Sequence, residues 1–377
     1  MNDAAAHPDI PDTESPVVDA FVYVNWKSND ELFSYLSEGW REYFGAGVTR
    51  YPRARVVDPL PARMLPNPLA EYVERDDGRG QVTGTDPIGE HIEPHGIARA
   101  LLCHERAFSL PAVANAMVST ELTRAANEWL IDFASRDSRC SAAILASTQE
   151  PEAGAKEIHR LAENERVGAV ILSVNSLAKP FGHPIYRPLL RAAAEERLPI
   201  VIASGAEAVT DSLAFPTAAG LPGAYTDLAA LSSQSLQTHL VSLIGQGVFE
   251  DLPDLRVFFA GAGLAWLPAL LFRFEANFKG LSRGAPWLKR RPTEYVTTNM
   301  RFCTWPLDRP DDPHKLAAFL EPFDGFSDIV CYGSGYPRWD ADSVSSIRAM
   351  LPQSWHANVL GKTAETTFRW PSAAEAR

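Results

Sequence analysis

The sequence holds nine histidines and four cysteines, and in only one place does it set the two side by side, at Cys103-His104. An imidazole at the end of an apolar run can serve as a general base or as a lone metal ligand. It can equally be a buried histidine satisfied by a neighbouring carbonyl. Cys103 reads as a small apolar packing residue, like Cys303 and Cys331 on their own apolar runs. A soft metal shared by Cys303 and Cys331 would need further ligands, and the sequence offers none nearby. His183, just before Pro184, reads as a local hydrogen-bonding group. His239 falls inside a helical pattern and reads as partly buried and structural. No Gly-x-Ser-x-Gly elbow is present, and Gly333-Ser334-Gly335 matches it only superficially. Glu150 and Glu152 stand where a helix would begin, where acidic side chains suit the helix dipole. Four cysteines without a close pair are neither a disulfide framework nor a zinc ribbon, and a reducing cytoplasm is the expected setting.

Eight short apolar runs must position these groups: Val17–Tyr23, Ile97–Cys103, Ala142–Ser147, Val167–Ser173, Pro199–Ser204, Arg256–Gly263, Met300–Trp305 and Ile329–Ser334. Continuous apolar runs of this length fit strands buried on both faces. Helical spacing of apolar residues lies between most of them, over Val113–Ser135, Pro188–Glu196, Leu231–Val248, Leu264–Phe278 and His314–Leu320. Alternating strand and helix means a parallel sheet. Eight repeats favour closure into an α/β (β/α)8 TIM barrel. The competing open, doubly wound sheet lacks a Gly-rich phosphate loop after any early strand. Length alone, 377 residues, suits two or three domains of roughly 150 residues, but barrels of this class run as one. A single domain over residues 16–370 is expected, with loose tails at 1–15 and 371–377. Two insertions stand out: Asn25–Glu93 after strand 1, and Phe278–Asn299 between strands 6 and 7. Both are expected at the carboxyl ends of the strands, where barrel sites are built.

Charge narrows the partners. Hydrophobic residues make up 46% of the chain and the net charge is -12. That balance gives no basic surface for nucleic acid or an anionic membrane. No apolar run approaches the ~20 residues of a membrane span, and the polar start lacks a secretory h-region.

Four segments, in order, resemble the amidohydrolase-related family that includes aminocarboxymuconate-semialdehyde decarboxylases. They are Val17–Phe44 (VVDAFVYVNWKSNDELFSYLSEGWREYF), Phe181–Pro199 (FGHPIYRPLLRAAAEERLP), Leu243–Pro268 (LIGQGVFEDLPDLRVFFAGAGLAWLP) and Tyr336–Asp340 (YPRWD). The likeness spans roughly Pro16 to Phe368 and implies an amidohydrolase-like barrel. That family holds one or two divalent metals. Its ligands are a pair two apart on strand 1, a His ending strand 5, a His or Glu ending strand 6, and an Asp after strand 8. By the resemblance, the strand-1 pair falls here on Phe21 and Tyr23. The strand-5 position falls on Ala203, or on Ser204 one residue away, and the strand-6 position on Gly261. The Asp after strand 8 becomes Gly335, and the His that follows it becomes Arg338. Phe, Ala and Gly offer a metal no lone pair, Tyr is a rare ligand, and Ser is a poor one. The strand ends agree, reading Tyr23, Cys103-His104, Ser147, Ser173, Ser204, Gly261, Trp305 and Ser334-Gly335. A residual polar site of His104, Cys103 and Arg338 is the remaining possibility. Phe21, Tyr23, Trp26, Trp305, Tyr332 and Trp339 are expected to cluster where metals would sit, either as core filling or as an apolar pocket.

Three functions follow. The first is a catalytically degenerate subunit, without a metal of its own, that stabilises an active paralogue carrying Fe, Mn or Zn. The pair would be a heterodimer or α2β2 acting on a small molecule, as in hydroxylases of the 2-aminoisobutyrate type, or as a hydrolase or decarboxylase. The second is an independent metal-free hydrolase or lyase. The third is a small-molecule-binding module.

Overall fold

The structure, a computed structural model, describes residues 16–45, 84–113, 115–173, 176–204, 217, 220 and 225–372. Eight parallel strands lie side by side in chain order: β1 Val18–Val24, β2 Arg99–His104, β3 Cys140–Leu145, β4 Val167–Leu172, β5 Ile200–Ala203, β6 Val257–Ala260, β7 Met300–Cys303 and β8 Val330–Cys331. Each lies within one of the eight apolar runs, or overlaps it to within a few residues. β1, β3 and β4 are buried along their whole length, as expected of strands covered on both faces.

The barrel closes between β8 and β1. Ala20 N–H donates to the Tyr332 carbonyl, Gly335 N–H to that of Phe21, and Tyr23 N–H to that of Tyr336, at 2.8–3.0 Å. Lower on the same seam the C-terminal segment replaces strand pairing, and Tyr332 N–H donates to the Val359 carbonyl at 2.7 Å. Gly361 sits so close that a Cβ there would be 2.5 Å from the Pro16 carbonyl oxygen. The segment then reaches several strands in turn. Phe368 packs edge-on against Phe258 of β6. Arg369 N–H bonds the Gly168 carbonyl of β4, and the Arg99 guanidinium at the start of β2 lies over Trp370. Among the described residues, no helix is long and apolar enough to cross a membrane.

Helices return the chain from each strand end. The longest, Ala116–Ala134, is started by Asn115, whose side chain accepts from the Met117 and Val118 N–H groups; an Asn N-cap satisfies donors that the first turn leaves unpaired. The Leu231–Val248 pattern is broken into helices Tyr225–Leu231 and Ser233–Gly245. Most of the Asn25–Glu93 insertion, residues 46–83, lies outside the described residues. Its described parts form helices Asn29–Phe33 and Glu38–Gly45 and a wide π-type turn at Ile88–Ile92.

The second insertion is on the opposite face from the one expected. Phe278–Asn299 contains the end of helix Trp266–Leu281 and helix Pro292–Asn299, which runs straight into β7. Asn299 Nδ2 donates to the Pro253 and Leu255 carbonyls just ahead of β6, and the Trp287 indole donates to Gly245. The segment therefore packs at the amino ends of β6 and β7. The reason is topological: it follows the helix rather than the strand, and the helix has already carried the chain back across the barrel.

Candidate functional site at the barrel mouth

The carboxyl ends of β1, β2 and β7 bring four rings together. Phe21 stacks on Trp305 at 5.7 Å and meets Tyr23 edge-on at 4.9 Å. Tyr23 also meets Trp305 and Phe108 edge-on, at 5.8 and 5.9 Å. Offset and T-shaped pairs at these separations are the favourable arrangements for aromatic quadrupoles. Phe21 has no exposed surface, and Tyr23 and Trp305 are almost fully buried.

The other positions singled out on the strand ends lie around this cluster. Ala203 ends β5 beside Ala260 of β6. The hydroxyl of Ser204 donates to the Gly261 carbonyl at 2.5 Å, so it is engaged with backbone. Gly335 has φ +68°, a left-handed conformation that glycine adopts at little cost. A methyl on its Cα would fall within the Trp305 indole. The indole thus fills the space into which a side chain at position 335 would project. Arg338 lies over the outer face of Trp305 at 5.4 Å and pairs with Asp340 at 3.4 Å.

Electrostatics at the mouth keep the phenol neutral. Burial pushes the Tyr23 hydroxyl well above its ordinary range; Arg338 opposes this, and Glu105 and Asp340 add to it. Burial likewise raises the Cys103 thiol, with the Asp19 carboxylate contributing. Cys103 and Arg338 both act on the phenol, so they border the aromatic cluster. His104 does not join them. Its ring turns to helix Ala116–Ala134, where Nε2 meets the Ala126 carbonyl at 2.9 Å between Trp26 and Trp129. The expected residual site of His104, Cys103 and Arg338 is therefore split, because successive residues of a strand face opposite sides. The six expected aromatics divide in the same way. Trp26 packs with Trp129, Tyr332 is buried with its hydroxyl on the Asp342 carbonyl, and Trp339 is 44% exposed.

Two other histidines behave as read from sequence. His183 Nδ1 accepts from the Ile185 N–H. His239 is buried, stacks on Phe181 at 4.3 Å and accepts its N–H; burial alone pushes its pKa down to about 3.

One constellation escaped sequence reasoning. Asp19 on β1 is fully buried and collects three donors. His91 Nε2 lies at 2.8 Å, and the N–H groups of Phe21 and Ser334 lie at 3.1 and 2.9 Å. The His91 ring stacks on Tyr336 at 4.9 Å, and the Tyr336 hydroxyl donates to Glu90. The available signal was Asp19 itself, an acid inside an otherwise apolar strand, which must be paired when buried. Nothing in the sequence pointed to His91 as its partner. The pair lashes the Ile88–Ile92 turn to the β1–β8 seam beside the aromatic cluster. Among the described residues, no three or more His, Cys, Asp or Glu side chains gather closely enough to hold a metal ion.

Solved structures with this fold include enzymes. The 5-carboxyvanillate decarboxylase of Sphingomonas paucimobilis is 21% identical, with 94% of this chain and 99% of that one covered and a TM-score of 0.67. The same enzyme from Novosphingobium aromaticivorans, solved with manganese and 4-hydroxy-3-methoxy-5-nitrobenzoic acid, is 19% identical over 93% and 95% of the chains, with a TM-score of 0.63. The 2,6-dihydroxybenzoate decarboxylase of Rhizobium is 15% identical over 93% and 97%, with a TM-score of 0.59. At these identities the likeness is one of fold. No curated protein matches the sequence. A family model described as amidohydrolase matches residues 96–370, most of the barrel from β2 to the C-terminal segment, and the chain belongs to the amidohydrolase family.

Proposed function

We propose that this chain is a subunit without a metal of its own, pairing with a metal-bearing amidohydrolase-fold chain in a complex that acts on a small molecule. The observation that carries this reading is the packing of Phe21, Tyr23 and Trp305 over the ligand positions of the resembled family. Phe21, Ala203, Gly261 and Gly335 present no donor atom, and the Tyr23 phenol is held protonated. Trp305 takes up the room that a ligand at position 335 would need. These residues do not fit a divalent ion, so no step through one is derived for this chain, and an Fe, Mn or Zn ion is assigned to the partner. Buried rings fill the volume that ligands and their waters would otherwise take, which keeps the barrel stable without metal.

A metal-free small-molecule module is the second reading. What favours it is the polar rim on the cluster, where the Glu105 Oε1 atom is buried without a partner among the described residues. Elemental analysis of the purified chain separates these readings from a metalloenzyme. No stoichiometric transition metal is expected. One equivalent of Zn, Mn or Fe per chain, lost on Tyr23→Phe, would overturn both.

A further inference from the structure

Two rods side by side on the flank of the barrel expose apolar side chains. Helices Tyr225–Leu231 and Ser233–Gly245 meet at Ser232, whose backbone is itself helical at φ −54° and ψ −28°, so they form the first rod. It packs beside the second, helix Trp266–Leu281. Leu231, Val241, Phe272 and Leu281 on these rods are four of the ten large hydrophobic side chains exposed among the described residues. Phe272 is 56% exposed and Leu281 is 69% exposed. Ala230, Thr238, Ala269 and Ala276 add small exposed side chains to the same two rods.

Charge is missing where a solvated helix would carry it. From Leu228 to Phe249 the chain has no Asp, Glu, Lys or Arg, although these residues make up 22% of the sequence. The histidine of this stretch, His239, is buried. A helix whose outer side meets only water carries charged and polar residues there, whereas the centres of protein interfaces are depleted of charge. On the second rod Glu275 is engaged by Thr293, whose N–H and hydroxyl donate to it at 2.9 and 2.6 Å.

The charge that remains identifies the occupant. Asp227 is exposed at the start of the first rod. Arg273 is exposed midway along the second, with Lys279 near its end and Arg283 just beyond. Both rods run from the carboxyl ends of the strands towards the amino ends, so the acid lies at one end of the face and two of the bases at the other. Such a surface complements itself when a second copy is turned end for end. The acid of each copy then meets the bases of the other, and the uncharged middles meet. This is the isologous contact of a two-fold dimer. Elsewhere a net charge of -12 sets two copies against each other. Two rods ~25–30 Å long and together ~20 Å across present a face of the order of the ~800 Å² per partner that a stable dimer buries.

We propose that two copies of this chain pair through this face, with the rods of one antiparallel to those of the other. The two barrels then lie flank to flank with their mouths pointing in opposite directions, and both mouths stay clear of the contact. This inference does not rest on the partner reading. With a metal-bearing paralogue the same contact makes the assembly α2β2 rather than a single heterodimer.

Size-exclusion chromatography with light scattering on the full chain tests it. The parent chain should elute at twice the chain mass at micromolar concentration. Phe272→Glu should elute as a monomer with an unchanged far-ultraviolet circular dichroism spectrum. Lys279→Glu should raise the dimer Kd about tenfold, each charge pair occurring twice in a two-fold dimer, and Asp227→Lys added to it should restore the parent Kd. A monomeric parent chain, a dimer unmoved by Phe272→Glu, or a double variant no tighter than Lys279→Glu alone overturns the proposal. So does a monomer whose pairing with the paralogue is lost in Phe272→Glu, which would give the face to the paralogue.

Discussion

Phe21 is the residue on which the reading of the mouth turns. Its ring has no exposed surface and touches both Tyr23 and Trp305. Phe21→Ala should destabilise the fold by ~3–5 kcal/mol, the cost of a buried phenyl plus the cavity left behind. Urea unfolding reads this directly; a variant as stable as the parent, with altered small-molecule binding, would instead favour the module reading. The buried histidines set the response to acid. Burial pushes His104 down to about 4 and His239 to about 3, from an ordinary 6.5. The unfolded chain therefore takes up protons first as pH falls. The stability tied to these groups is complete above about pH 6.5 and is lost progressively below it, by up to about 1.4 kcal/mol per pH unit for each histidine. Unfolding measured from pH 7 to pH 5 should show that decline, and His239→Gln should remove about half of its slope. An unchanged slope would mean His239 is protonated in the folded chain. The positions of Phe21 and Tyr23 were legible because a strand's side-chain period fixes which residues share a face. The Asp19–His91 pair was not, since its two members are brought together only by the fold.

At the scale of elements, continuous apolar runs made the eight strands legible, and the parallel order followed from the helices between them. Two elements were not. Phe278–Asn299 is expected at the mouth from its length and composition, but it follows a helix, and chain direction puts it at the amino ends of the strands. The role of the C-terminal segment is not legible in the sequence, because its partners at Pro16 and Gly168 lie far from it along the chain. In the structure it completes the lower seam, and Arg369 secures it. Its guanidinium donates to the carbonyls of Val167 at 2.8 Å, Ala162 at 2.7 Å and Asn164 at 3.1 Å. Arg369→Ala removes all three bonds, the Asn164 carbonyl alone keeping a backbone donor, the Val167 N–H, and a loss of ~2–3 kcal/mol is expected, because bonds to charged groups exceed neutral ones. Gly361→Ala should also destabilise, since the added methyl meets the Pro16 carbonyl and backbone cannot yield as a side chain can. Thermal unfolding of the two variants checks both; wild-type Tm values would mean the segment only rests on the barrel.

The whole molecule presents the question of why a barrel with a ring-filled mouth persists. Under the proposed subunit reading, a surface that completes or stabilises another chain's site supplies the reason. The material for such a surface is present on two faces. Trp339 is partly exposed after β8 at the mouth, and Trp287 is half exposed at the opposite end. Beside Trp287, Lys289 extends into solvent and Arg290 lies over Tyr295 at 4.3 Å. Trp, Tyr and Arg are the side chains that most often dominate interface energies. Obligate interfaces bury ~2,000 Å² or more and are apolar, so each chain alone should be poorly soluble if the pairing is permanent. Closed two-fold symmetry is the commonest arrangement, so a heterodimer or an α2β2 assembly with a metal-bearing paralogue is the expected outcome. Co-expression of the two chains, with size-exclusion chromatography and light scattering, measures it. Trp287→Asp and Trp339→Asp in parallel tell which face is used: the change on the contact face should dissociate the pair and the other should not. Two chains that elute separately, with the paralogue fully active alone, would sink the subunit reading and leave the metal-free module as the function to pursue.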